Sequence, residues 1–159
     1  MILVLLGTQN NSFERLLKKI EECIKNKIIN DEVIVQAGYT KFDSEYMKIF
    51  NFISTTDLQE LQSRADLIIS HGGVGSIVSS LKMNKKVIAV PRLHEYGEHV
   101  NDHQKDIVDY FGMKNYIISC CNLDDLNKAI KEINNFIPEE YKCGTSKIIN
   151  IIDSYINNN

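Results

Sequence analysis

Apolar positions in this chain follow two periods that alternate along its length. Ile2-Leu3-Val4-Leu5-Leu6 is an unbroken apolar run, the pattern of a strand covered on both faces. Phe13, Leu16, Leu17, Ile20, Cys23 and Ile24 then fall at helical spacing, with Asn11 and Glu14 placed as a capping box. Val33–Gln36 predicts a second strand, ended by Gly38, and Ile49–Ile53 a weaker third. A short helix is expected from Asp57, with Leu58, Leu61 and Ala65 on one face. Leu67–Ser70 predicts a fourth strand, Gly75–Met83 a helix, and Val87–Val90 a fifth strand stopped by Pro91. Val100, Ile107, Val108 and Phe111 mark a further helix, with Gly112 placed as its C-terminal cap. Tyr116–Ser119 predicts strand six, and Asn122 caps a helix carrying Leu123, Leu126, Ala129, Ile130 and Ile133.

Strands separated by helices build βαβ units, and these give a parallel sheet with helices on both faces. The expected fold is α/β: a single Rossmann-like domain with a doubly wound, about six-stranded parallel sheet. Residues 1–159 read as one domain, without internal repeat or low-complexity linker. After Pro138 and Gly144, Ile148, Ile149, Ile151, Ile152, Tyr155 and Ile156 predict an apolar C-terminal helix over 145–156. Two roles are open to it: closing the sheet, or docking a partner or the membrane surface. In open parallel sheets ligands sit beyond the carboxyl ends of the strands. Gly7-Thr8, Gly38, His71–Ser76 and Arg92–Gln104 all follow predicted strands and are expected on one rim.

Composition narrows the partners. A chain of 159 residues is long enough to bury roughly two-thirds of its unfolded surface. A net charge of −3, with no basic stripe, argues against nucleic acid. Cys23, Cys120, Cys121 and Cys143 lack zinc-site spacing, and the adjacent pair Cys120-Cys121 reads as buried thiols. The Ile2–Leu6 run is too short and lacks the basic leader of a signal peptide, and it is far below the ~20 residues of a membrane span. The expected location is therefore cytoplasmic, with membrane contact supplied by a surface or a partner.

Candidate chemistry lies in two stretches. Ser70-His71-Gly72-Gly73-Val74-Gly75-Ser76-Ile77 joins a buried strand to a helix. Glycines there let backbone N–H groups approach an anion, and the helix start adds about half a positive charge. A tight turn without a ligand is the competing reading. A first-strand GxGxxG is absent, since Gly7-Thr8-Gln9-Asn10 holds one glycine, and so is GxxxxGK[ST]. This argues against NAD, FAD and P-loop nucleotide hydrolysis. The second stretch, Pro91–Gln104, holds His94, His99, His103 and several carboxylates. His99 and His103 are four apart as in HExxH, but Val100 stands where the motif has glutamate, which argues against a metal. Asp102 and Gln104 offer sugar contacts and Arg92 would offset phosphate charge, or the stretch is a solvated loop.

Taken together, His71–Ile77, Val90-Pro91-Arg92 and Gly97–Gln104 resemble the family 28 glycosyltransferase C-terminal domains, as do Leu6–Gln9, Phe13–Leu16 and Val35–Gly38. The similarity spans roughly residues 1–135, and the spacing between the motifs makes it specific. Within the family the chain looks most like bacterial capsule and exopolysaccharide transferase subunits. These are similar to the soluble catalytic subunit of the two-part UDP-N-acetylglucosamine transferase of lipid-linked oligosaccharide synthesis.

The resemblance implies the nucleotide-sugar half of a GT-B fold, moving a hexose from a UDP-sugar with inversion and with neither metal nor cofactor. A membrane-associated subunit would supply the acceptor half, bring a lipid-diphosphate-linked saccharide and recruit the chain to the inner face of the membrane. It places the diphosphate at Gly7, Thr8, His71, Gly72, Gly73, Gly75 and Ser76. It places the donor sugar and nucleoside among Ser79, Arg92, Glu98, Asn101, Asp102, His103 and Gln104. His71 is the candidate base within the chain, although the resemblance puts the base in the acceptor half. Relatives carry a ribose-binding glutamate where this chain has Ser79, and a proline where it has Lys86. The Ser79 departure leaves room for a non-catalytic nucleotide-sugar-binding or regulatory subunit. A nucleotide-sugar epimerase is disfavoured by the missing second domain.

Overall fold

Buried strands need partners for their backbone groups on both sides, and the chain supplies them in order. The computed structural model describes residues 1–142. It runs β1 (Ile2–Leu5), α1 (Glu14–Lys25), β2 (Val33–Gln36), β3 (Lys48–Phe50), α2 (Thr55–Arg64), β4 (Leu67–His71), α3 (Val74–Lys82), β5 (Lys86–Val90), α4 (His103–Met113), β6 (Ile118–Ser119) and α5 (Leu126–Glu132). Single 3-10 turns lie at His94–Tyr96 and Leu123–Asp125. The predicted helix over 145–156 and Cys143 lie outside the described residues.

All six strands are parallel, in the order β3-β2-β1-β4-β5-β6. The doubly wound, six-stranded sheet is thus the expected one, and its direction of winding reverses between β1 and β4. Alternate side chains feed two cores. Ile2, Val4 and Leu6 pack with α1 and α5, while Leu3 and Leu5 pack with α3 and α4. Register fixes the rim: Leu5 pairs with Gln36 on one side and Ser70 on the other, and His71 pairs with Val90. Gly7, Gly38, Gly72-Gly73 and Pro91-Arg92 therefore leave the sheet at one level.

Several element ends differ from expectation, each for a local reason. The Asn11–Glu14 capping box does not form. Phe13 precedes α1 and donates its N–H to Thr40 Oγ1 at 2.9 Å, while the Asn11 amide reaches the Gly97 carbonyl at 2.9 Å. Helix α2 starts at Thr55 rather than Asp57, because Ser54 accepts the Asp57 N–H at 3.1 Å and donates its hydroxyl to the Asp57 carboxylate at 2.7 Å. Val100 lies outside α4 and is exposed. Gly112 is inside α4, not its cap: a Cβ there would meet Ser119 Cβ at 2.8 Å, so the glycine lets α4 lie against β6. Asn115, at φ 55°, makes the left-handed turn after the helix instead.

Gly38 is the glycine on which the rim depends most. Its φ is +59°, and a Cβ there would overlap the Gly7 carbonyl. Gly38→Ala is expected to cost about 2–3 kcal/mol and to lower the melting temperature by roughly 5–10 °C. Gly97→Ala has a similar φ of +66° but open space around it, and should cost about 1 kcal/mol. Equal losses in calorimetric melts of the two variants would contradict this packing.

Candidate functional site

The site grows out of the last turn of backbone in β4. Gly73 is the residue before α3, with φ −77° and ψ 124°, values open to any residue. Glycine is needed there for space. A Cβ on Gly72 would meet Gln104 Cβ at 2.7 Å, and one on Gly73 would overlap the His71 ring. Gly75 has nothing within 4 Å of a Cβ position, so its backbone is open to solvent. Because Gly73 has no side chain, the start of α3 has no side-chain cap, and no acidic residue lies in its first turn. The first-turn N–H groups of Val74, Gly75 and Ser76 thus face outward at the positive end of the helix dipole. No partner for the Ser76 hydroxyl occurs among the described residues. The arrangement fits an anion, at the point where the sheet reverses its winding.

His71 sits beneath this turn, only 8% exposed. Its Nδ1 lies 3.1 Å from the Leu5 carbonyl. A carbonyl only accepts, so Nδ1 holds the proton and Nε2 is left with a lone pair. That nitrogen lies between Gly7 and Gly73: a Cβ on Gly7, whose φ is +76°, would meet it at 2.6 Å. Burial pushes the imidazole pKa down to about 4, and the charges of Arg92 and His99 push the same way against the Leu5 bond. His71 is therefore neutral at neutral pH. It offers no positive charge to a phosphate, and with that pKa it is a weak base. Thr8, beyond Gly7, is exposed on the rim.

Two residues expected to touch the ligand are engaged elsewhere. Arg92 is fully buried. Its guanidinium donates to the carbonyls of Leu6 at 2.8 Å, Asn11 at 2.7 Å and Glu98 at 3.2 Å, and lies 5.0 Å from the Phe13 ring centre. Burial lowers its pKa to about 10, against the pull of Glu98, and it stays charged. Glu98 is 3% exposed; its oxygens accept from Arg15 at 2.9 Å each, and Oε2 also accepts the Leu93 N–H at 3.1 Å. Neither side chain is free to hold sugar, ribose or phosphate. Both brace the loops after β1 and β5.

Others lie on the rim with part of their bonding capacity committed. Gln104 is buried, accepting the Arg92 N–H at 3.1 Å and walling Gly72. Ser79 accepts from Gln62 at 2.9 Å and donates to the Ser76 carbonyl at 3.1 Å. Asp102 is exposed and accepts the His94 N–H at 2.8 Å; Asn101 accepts the His103 N–H at 3.3 Å. His99 faces Gln9 at 3.0 Å, a second bridge between the β1 and β5 loops. Among the described residues, no three His, Cys, Asp or Glu side chains are grouped to hold a metal ion, and no helix is long and apolar enough to cross a membrane.

The structure adds a pair that the sequence reading missed. Tyr39 and Phe52 are 57% and 53% exposed, with ring centres 5.0 Å apart and planes at 76°. They follow β2 and β3 on the same rim. Phe52 was expected inside a strand over 49–53, but β3 ends at Phe50. The available signal was Gly38, which ends a strand and puts the next side chain on the rim.

Acid should reveal the buried imidazole. A histidine with folded pKa near 4 and unfolded pKa near 6.5 leaves full stability above pH 6.5, and stability falls as pH drops toward 4. The loss over that window is about 3 kcal/mol at most. Chemical denaturation of the wild type and His71→Gln should show this slope in the wild type and a flatter one in the variant. Parallel slopes would contradict a neutral, buried His71.

Residues 1–153 match the family described as glycosyltransferase family 28 C-terminal domain. The chain is 30% identical over 104 residues to the UDP-N-acetylglucosamine transferase subunit ALG13 of Candida glabrata, covering 65% of this chain and 49% of that protein. It is 25% identical over 167 residues to ALG13 of Debaryomyces hansenii, covering 92% and 74% respectively. The chain thus spans about half the length of the first relative and about three-quarters of the second. Among solved structures, an NMR structure of ALG13 aligns with TM-score 0.55 and 22% identity over 89% of this chain and 87% of that one. MurG of Acinetobacter baumannii aligns with TM-score 0.57 and 18% identity over 83% of this chain and 41% of that one. The family match covers nearly the whole chain: it belongs to the glycosyltransferase family 28 C-terminal domains.

Proposed function

We propose that this chain is the donor-binding part of a UDP-sugar-dependent transferase, with N-acetylglucosamine as the sugar. The uncapped first turn of α3, at the crossover between β1 and β4, is the observation that carries the reading. A diphosphate would lie on the N–H groups of Val74, Gly75 and Ser76, over the floor made by Gly7, Thr8, His71, Gly72 and Gly73. The base would lie against Tyr39 and Phe52. With strands about 4.8 Å apart, the end of β2 is about 10 Å from the end of β4, a span that a ribose and one phosphate cover. The sugar would extend the other way, toward Asn101, Asp102 and His103 with Gln104 behind them. Names of the relatives support the choice of UDP-N-acetylglucosamine, while a capsule or exopolysaccharide setting finds no support among them.

The chemistry divides between two halves. An acceptor hydroxyl attacks the anomeric carbon from the face opposite the nucleotide, the bond to the diphosphate oxygen breaks, and UDP departs with the bonding pair. The helix dipole and backbone donors stabilise that charge without a metal. A base must take the acceptor's proton. Because the pKa of His71 is about 4 and its Nε2 lies between two glycines, the base comes from elsewhere. A membrane-associated acceptor-binding subunit would provide it, together with a lipid-diphosphate-linked saccharide, at the cytoplasmic face. A purely regulatory, non-catalytic role draws on Ser79, whose hydroxyl is held by Gln62 and Ser76 instead of lying free for a ribose.

Calorimetric titration of the chain should show binding of UDP and UDP-N-acetylglucosamine in preference to ADP. Phe52→Ala should weaken it about tenfold, the ~1.4 kcal/mol expected for a lost aromatic contact. Gly73→Ala should weaken it further, because the new Cβ displaces His71. No UDP binding by the folded chain would overturn the donor reading. Sugar transfer should appear only when an acceptor subunit is added; donor binding without transfer in such a complex would establish the regulatory role.

A further inference from the structure

A cavity of about 510 Å³ opens on the other side of α4 from the glycine turn. That volume lies within the roughly 300–1,000 Å³ of small-molecule sites. Helical geometry turns each residue about 100° from the last. Gln104 faces Gly72, and Asp102 and Lys105 turn away from it to line the cavity. Leu93 and Leu123 form an apolar floor.

Tyr96 forms one wall, 56% exposed and held in place. The Arg15 guanidinium lies 4.4 Å from its ring centre, and the two-pronged bond to Glu98 fixes that guanidinium. Around this ring are polar groups with capacity to spare. The Lys105 ammonium, the Glu95 carboxylate and the Asn122 side-chain nitrogen make no hydrogen bond to any described residue. Asp102 uses one oxygen, on the His94 N–H. Formal charge over the lining cancels, Arg15 and Lys105 against Glu95 and Asp102. That balance favours neither a phosphate nor a cation. Unpaired charged groups beside it argue against a wholly apolar ligand. An aromatic face rich in electron density, ringed by both donors and acceptors, suits a neutral pyranose, whose C–H face stacks while its hydroxyls bond at the edge.

We infer that this cavity is a second saccharide subsite, separate from the donor sugar's place, taking a neutral pyranose ring on Tyr96 with Glu95, Lys105 and Asn122 at its edge. It rests on the transferase reading only for the ring's source, the acceptor saccharide, because the donor's sugar has its own place at Asn101–Gln104. The test is amide NMR of the whole chain, titrated with N-acetylglucosamine and with its β-1,4-linked disaccharide at millimolar concentrations, with and without UDP. UDP-N-acetylglucosamine is added in a separate arm. Free saccharide shifting the amides of Tyr96, Lys105 and Asn122 would establish the subsite and identify its occupant as a separate, acceptor-side sugar. Shifts produced by UDP-N-acetylglucosamine, but not by UDP plus free sugar, would overturn it and make the cavity part of the donor site. Tyr96→Ala should weaken the free-saccharide response at least tenfold, and Lys105→Ala by a smaller factor, while UDP shifts at Gly72–Ser76 persist in both. No shift at these amides with free saccharide would overturn the subsite, as would shifts that survive Tyr96→Ala. Loss of UDP shifts at Gly72–Ser76 in the wild type would count against the donor site alone.

Discussion

The buried guanidinium of Arg92 is the interaction around which the rim is arranged. Loops at the ends of parallel strands carry carbonyls that the sheet no longer pairs, and burying them unpaired is costly. Arg92 supplies donors in a fixed planar fork. Leu6 and Asn11 in the loop after β1 and Glu98 in Arg92's own loop after β5 each give a carbonyl to it, so one fork joins two loops far apart in sequence. Phe13 covers one side of the fork, so the charge is fully withdrawn from water. Such a charge is tolerable because its partners are nearly complete, Nε being the one atom without one. Removing the guanidinium would strand three carbonyls at once, and removing Glu98 would take the compensating charge from beside it.

From that centre the arrangement extends outward. Glu98 passes the bracing to Arg15, and Arg15 passes it to Tyr96. The backbone N–H of Arg92 holds Gln104, and Gln104 leaves no room at Gly72 for a side chain. Asn11–Gly97 and Gln9–His99 join the same two loops a second and third time. The glycine turn and the Tyr96 cavity lie on opposite sides of α4's first turn, fixed by one set of contacts. A change at Glu98 would therefore be felt at both.

The fold could be read from the chain because five of its six strands are apolar enough to show, and because helical spacing between them is regular. The glycine turn could be read too, and space demands two of its glycines, Gly72 against Gln104 and Gly73 against His71. Arg92 and Glu98 could not. A charged residue just past a strand end looks like a ligand contact, and convergence of Leu6, Asn11 and Glu98 carbonyls on one fork is a tertiary fact with no local pattern. Asn11 and Gly112 failed for the same reason: each has the right residue type for a cap and a stronger demand from a distant loop or strand. Tyr39 and Phe52 were hidden differently. Aromatic residues beside a strand look like core, and the points where β2 and β3 stop put Tyr39 and Phe52 outside.

If the glycine turn holds a diphosphate as proposed, the neutrality of His71 means that it would do so with little charge. A protonated imidazole below the turn would attract a diphosphate strongly, yet it would sit against the buried Arg92 and face the same desolvation that lowers its pKa. On the proposed reading, anion recognition would instead fall to backbone dipoles that do not titrate. Its imidazole keeps Gly7 and Gly73 apart, anchored to the Leu5 carbonyl at the end of β1. A floor built this way holds its shape and its charge across the neutral pH range, and it contains no group suited to take a proton there. On the proposed donor-binding reading, binding and proton transfer would be separated: the first would be set by the end of one strand and the start of one helix, and the second would be brought to the rim by another surface.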